Sequence, residues 1–110
     1  MLLRKGLSVE VKALAKSLIL EEVFRVLEDR RNHPREGSYV SSLMAKGLKE
    51  MLEKISEEAG ELVEAAEFKD ENEIVHEAAD LFFHVMVLLA YKQIGLEKVF
   101  KELEGRRKPR

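Results

Sequence analysis

The chain has 110 residues, 45% hydrophobic and 36% charged, with six glycines, two prolines and no cysteine; that suffices for one core and one domain, and the scarcity of turn formers favours helix. The missing thiols exclude disulfides, thiolate nucleophiles and cysteine-based zinc sites, and suit a reducing compartment such as the cytoplasm. A net charge of −2, from 19 Lys and Arg against 21 Asp and Glu, gives no general attraction to nucleic acid or acidic membranes, so any basic site must be local.

The opening MLLRKGLSVEVKALAKSLIL has scattered charges and no apolar run of signal-peptide length, and the longest later run, residues 85–91, is far short of a bilayer. No span of a membrane is expected. Val11, Leu14, Leu18, Val23, Val26 and Leu27 recur at helical spacing, which predicts a helix over residues 8–31, or two short ones, with Ser8 as N-cap. Residues 1–20 are read as a helical extension of the domain that follows.

NHPREGS breaks the pattern, because Pro34 and Gly37 suit a loop and Ser38 can cap the next element. From 39 to 67 the apolar positions Leu43, Leu48, Met51, Leu52, Ile55, Ala59, Leu62, Val63 and Ala66 form one stripe, with Gly47 the weak point where the helix can kink or restart. KDEN supplies a turn. A third stripe, Ile74, Ala78, Leu81, Phe82, Val85, Leu88 and Leu89, runs to about Gln93 and is apolar nearly all round in its second half. A helix of that kind needs cover on several sides, which in so short a chain points to a partner subunit. Gly95 is expected to end it. A short helix over 96–104 precedes the basic tail GRRKPR. With no repeat and no alternating strand pattern, the expected architecture is an all-α bundle of four to five helices assembled as a homodimer.

One irregularity carries the chemistry. Glu58 lies three residues after Ile55 and four before Leu62, inside the apolar stripe, and Glu61 is one turn on; Glu77 sits likewise between Ile74 and Leu81, with Asp80 three residues later. Two antiparallel helices joined by a short turn would bring Glu58 and Glu61 against Glu77 and Asp80, and a partly buried group of like charges needs a cation. Oxygen ligands without cysteine favour Mg²⁺, or Mn²⁺, over zinc, and Mg²⁺ goes with phosphate substrates. Glu57 is then placed to orient or deprotonate a water. The plainer reading of one EExxE alone is solvated charge on a helix; the second motif on the next helix tips the balance.

Glu57-Glu58-x-x-Glu61 followed by Glu77-x-x-Asp80 is similar to the signature of the all-α, MazG-like nucleotide pyrophosphohydrolases. Within them, SYVSSLMAKGLKEMLEKISEEAGE and EAADLFFHVMVLL resemble the two most recognisable blocks of the phosphoribosyl-ATP pyrophosphatase family, with the likeness covering residues 21–107 and leaving 108–110 as tail. The resemblance implies Mg²⁺-dependent hydrolysis of phosphoribosyl-ATP to phosphoribosyl-AMP and pyrophosphate, the second step of histidine biosynthesis. It also implies Glu58, Glu61, Glu77 and Asp80 as the main metal ligands, with Glu57 an additional ligand or water-positioning group, and Glu57 and Glu58 as the catalytic pair. Lys54 would face phosphate, or else pair with Glu50 or Glu58 as a surface lysine. Ser38 and Tyr39 match the family's SY pair and would receive phosphate, or serve as N-cap and packing residue. Lys46 would reach substrate from the KG pair. His84 matches a DLxxH pattern that orients Asp80 or a ligand, although without the family a satisfied core histidine is the simpler reading. Arg106 would close over phosphates, or belong to a solvated tail. Gly60 departs from the family's habit inside the first motif. Two other readings stand beside this one: a house-cleaning hydrolase of dCTP, dUTP or damaged nucleotides on the same fold, and a non-enzymatic helical oligomerisation module.

Overall fold

The computed structural model describes residues 18–107. These form five helices and no strand: α1 (Ile19–Asn32), α2 (Tyr39–Lys46), α3 (Leu48–Phe68), α4 (Glu71–Tyr91) and α5 (Leu96–Arg106). The predicted start of the first helix at Ser8 and the separate character of the extension lie outside the described residues.

Of the two outcomes expected at Gly47, a kink or a restart, the chain takes the restart, and the stretch 39–67 is two helices. Gly47 adopts φ 99° and ψ −178°, a region open essentially to glycine alone, so the chain stops α2 and restarts as α3 at Leu48. Ser38 does cap α2, its hydroxyl accepting from the Ser41 amide at 3.1 Å. Asp70 caps α4 in the same way, accepting from the Glu73 amide at 3.1 Å. The expectation for Gly95 needs correcting: α4 ends at Tyr91, and Gly95 begins α5 as its N-cap. The closure of α4 falls instead to Gln93 at φ 59°. Its amide donates to the Ala90 carbonyl and the Ile94 amide to Leu89, the paired reversed bonds that satisfy a helix C-terminus, here with glutamine in the left-handed position. The last helix also runs on past Glu104 to Arg106.

α3 and α4 form an antiparallel hairpin and share the largest interface, while α1 packs on α4 and α2 bridges α1 and α3. Phe24 and Leu27 of α1, Val40 and Leu43 of α2, Met51 of α3, and Met86, Val87 and Ala90 of α4 make the core, closed by Leu96. Arg31 fastens α1 to the end of α4, its guanidinium donating to the Ala90 carbonyl at 2.7 Å. The core therefore gathers at one end of the hairpin. Toward the other end only Ala65 is buried, and Val63, Phe68 and Val75 are 60%, 78% and 61% exposed. By length and composition alone α4 is apolar enough to cross a bilayer, with mean hydropathy 1.5 over its most apolar window. Its packing against α1 and α3 makes it instead the central helix of this bundle.

Candidate metal centre

The carboxylates lie where the core gives way to the exposed arm of the hairpin. α3 brings Glu58 into the seam and α4 brings Glu77 to meet it, because each occupies a core-facing row of its helix. Carboxylate oxygens of Glu58, Glu61 and Glu77 all lie within 4.8 Å of one another. Glu58 is only 4% exposed, and its Oε2, like Oε2 of Glu77, is buried with no hydrogen-bond partner among the described residues. Two ionised carboxylates whose oxygens come within 4.8 Å repel by about 3–4 kcal/mol at an effective dielectric near 20. That arrangement fits a hard cation taken up by oxygen ligands.

Asp80 reaches this group by another route. One of its carboxylate oxygens lies within 4.8 Å of ligand atoms of His76 and Glu77, so Glu77 is common to both sets and the four acids form a chain of contacts rather than one knot. His76 Nε2 stands 3.3 Å from Asp80 Oδ2. His76 stands outside the expected ligand set, although in His76-Glu77-x-x-Asp80 the first and last residues are four apart and share a helix face.

Glu57 is outside both groups, on the exposed flank beside Lys54. Lys54 reaches back to both acids, 3.4 Å from Glu58 Oε1 and 3.6 Å from Glu57 Oε1. Desolvation opposes its charge, but Glu57 and Glu58 outweigh it and hold the ammonium above its ordinary value of 10.5. It is thus paired with both Glu57 and Glu58, its side chain 32% exposed. Glu61 is held above its ordinary value of 4.5 chiefly by its hydrogen-bonding contact with Glu77.

His84 is buried behind the site with both ring nitrogens engaged. Nδ1 lies 2.9 Å from the Asp80 carbonyl oxygen, which can only accept, so Nδ1 carries the proton and Nε2 accepts from the Tyr39 hydroxyl at 2.9 Å. Burial, ahead of the nearby acids, pushes the Tyr39 hydroxyl above its ordinary value, which keeps it a donor. His84 accordingly bonds the backbone of Asp80 rather than its carboxylate, and ties α4 to the start of α2. Ser38 and Tyr39 line a groove of about 320 Å³ with Val23, Val26, Arg30 and Phe83. Lys46 is exposed at the end of α2. Arg106 bonds Glu102 of its own helix at 3.3 Å, with no contact to the acids. A Cβ on Gly60 would meet nothing within 4 Å, and nothing in the structure explains a glycine there.

The family described as phosphoribosyl-ATP pyrophosphohydrolase matches residues 20–107. A phosphoribosyl-ATP pyrophosphatase of Methanocella arvoryzae is 54% identical over 92 residues, covering 82% of this chain and 97% of that protein. One from Clostridium botulinum is 45% identical over 92 residues, with 84% of each chain covered. A histidine biosynthesis bifunctional protein of a Nostoc species is 45% identical over 89 residues, which are 81% of this chain and 41% of that longer protein. With all four acids standing in the matched segment on two facing helices, the chain belongs to the phosphoribosyl-ATP pyrophosphohydrolase family of enzymes.

Proposed function

We propose that this protein hydrolyses phosphoribosyl-ATP to phosphoribosyl-AMP and pyrophosphate, using Mg²⁺, or Mn²⁺ in its place, held by Glu58, Glu61, Glu77 and Asp80. The observation that carries the reading is the pair of buried, unpartnered oxygens on Glu58 and Glu77, converging with Glu61 from two helices. Such a cation supplies neutralisation of phosphate oxygens and a lowered pKa for a bound water.

The chain's own residues do the rest. Glu57, exposed beside the group, accepts a proton from the water as the water's oxygen bonds to the α phosphorus; the bond from that phosphorus to the oxygen bridging it to the β phosphate breaks, and pyrophosphate leaves with that oxygen. Lys54, lying across Glu57 and Glu58, turns its remaining N–H groups to the phosphates, a point charge that need not be bidentate. Ser38 retains a hydroxyl proton to donate while its oxygen caps α2. Tyr39 and His84 fix the relation of α2 to Asp80, and Tyr39 offers its half-exposed ring to the substrate. Lys46 and Arg106 supply further positive charge to the polyphosphate. The exposed arm of the hairpin is covered by a second copy of the chain. A chain free of cysteine is suited to carry out this reaction in the cytoplasm.

Phosphoribosyl-ATP, ATP, dCTP and dUTP incubated with and without Mg²⁺ and resolved by HPLC test substrate and metal together. Pyrophosphate is expected from phosphoribosyl-ATP only, and only with the ion. Glu58→Gln and Asp80→Asn should each lower kcat by at least about a hundredfold, the scale of losing a charge that stabilises the transition state, with helical content retained. Faster turnover of dCTP or dUTP would support the house-cleaning reading. No turnover of any of the four, and no change in melting on adding Mg²⁺, would support the oligomerisation module.

A further inference from the structure

The carboxylates of the metal centre have one nitrogen at their edge, on His76. His76 Nε2, a Glu77 oxygen and an Asp80 oxygen lie mutually within 4.8 Å, and Glu77 is the residue this set shares with Glu58 and Glu61. The i, i+4 spacing of His76 and Asp80 puts both ligand atoms over the same turn of α4, the spacing by which a single helix offers two ligands to one metal. Glu77 Oε2 is buried without a partner, and so is Oε2 of Glu58 across the seam, where the Glu58 side chain is 6% exposed. Both remain available to a cation. His76 is reached from solvent, its side chain 67% exposed.

We propose that His76, through Nε2, is a metal ligand that joins Glu77 and Asp80 in a mixed nitrogen–oxygen cation position adjoining the all-oxygen one, and that this position selects a first-row transition ion over Mg²⁺. An imidazole nitrogen adds affinity for divalent first-row transition ions, least for Mn²⁺ and more from Fe²⁺ onward, that Mg²⁺, which demands oxygen and keeps its waters, does not gain. The chain has three histidines, and the other two are otherwise placed. His33 Nδ1 sits 3.2 Å from Asp29 at the end of α1, and both nitrogens of His84 are occupied within the core. An imidazole signal on a metal bound at this centre therefore reports His76. The proposal rests on the metal reading given above, and the experiment separates the two.

The whole chain is loaded with Mn²⁺ and examined by electron spin-echo envelope modulation for imidazole nitrogen, with Mn²⁺ and Mg²⁺ affinities measured by calorimetry in parallel. The expected result is a nitrogen modulation in the native protein and in His33→Gln that disappears in His76→Gln. Mn²⁺ binding in His76→Gln should weaken by about tenfold or more, with Mg²⁺ affinity nearly unchanged. Mn²⁺ bound without nitrogen modulation, or a modulation that persists in His76→Gln, would overturn the role of His76 and leave the carboxylate site standing. Failure of the native protein to bind either ion would overturn both.

Discussion

His84 is almost fully buried, and each of its ring nitrogens is satisfied by a different element: the Asp80 carbonyl on its own helix and the Tyr39 hydroxyl from α2. Removing only the hydroxyl, in Tyr39→Phe, leaves Nε2 as a buried acceptor without a donor, which costs about 1–2 kcal/mol. Urea unfolding should show that loss. An unchanged midpoint would mean that water replaces the hydroxyl and that the bond holds nothing in place. Glu61 gives a prediction of opposite character. Its folded value is raised by contact with Glu77, so the metal-free fold binds this proton more tightly than the unfolded chain does. Between the ordinary 4.5 and the raised value, the native state therefore holds more proton and stability falls as pH rises. With a chelator present, the native protein should lose stability across that window relative to Glu61→Gln, and added Mg²⁺ should stabilise it more at the upper end than the lower, since the ion must displace the proton. Parallel pH profiles for the two proteins would contradict this.

At the scale of the element, Gly47 decides how α2 stands to α3. The backbone there, φ 99° and ψ −178°, strains any residue with a Cβ by about 1–3 kcal/mol, although a methyl would meet no neighbour. Gly47→Ala should lower stability by that amount without creating a clash, and should also disturb Tyr39, whose helix hangs from this joint. A rise in helical content by circular dichroism with unchanged stability would instead mean that α2 and α3 can fuse. The sequence showed a stripe on both sides of Gly47 but not whether the helix bent or stopped, because a lone glycine is compatible with both and the positive φ is settled by packing on α1. The carboxylates were more legible. Glu58 and Glu77 interrupt apolar rows, a local conflict with no purpose unless something across the seam answers it. Gln93 was not legible, since a glutamine in a left-handed turn has no signature when a glycine two residues on offers the more obvious stop. His76 was visible only as spacing, and an exposed helix surface offers many such pairs.

The whole molecule poses one further demand. The core closes one end of the α3–α4 hairpin, while the other end presents Val63, Phe68 and Val75 to solvent and α4 adds Phe82, 58% exposed. Beside Phe82 an apolar cavity of about 380 Å³ opens between α4 and α5, lined also by Leu81, Val85, Met86, Phe100 and Leu103. Two helices without a third to cover them make a poor fold in water, since most helix stability comes from burying an apolar face. A second copy laid on the first would complete a bundle, and the acids, standing where core meets arm, would then lie beside the interface rather than in open solvent. The area on offer must reach about 1,200 Å² in total for a lasting pair, and large aromatic side chains near its centre should carry most of the energy. Phe82→Glu places a charge there. It should convert a dimer into a monomer in analytical ultracentrifugation and lower the melting temperature, with the helices still formed and turnover reduced because the arm that holds Glu61 and Glu77 is loosened. A native protein that sediments as a monomer at micromolar concentration, or a Phe82→Glu protein that remains a dimer, would show that the arm is stable uncovered or that the copies meet on another face.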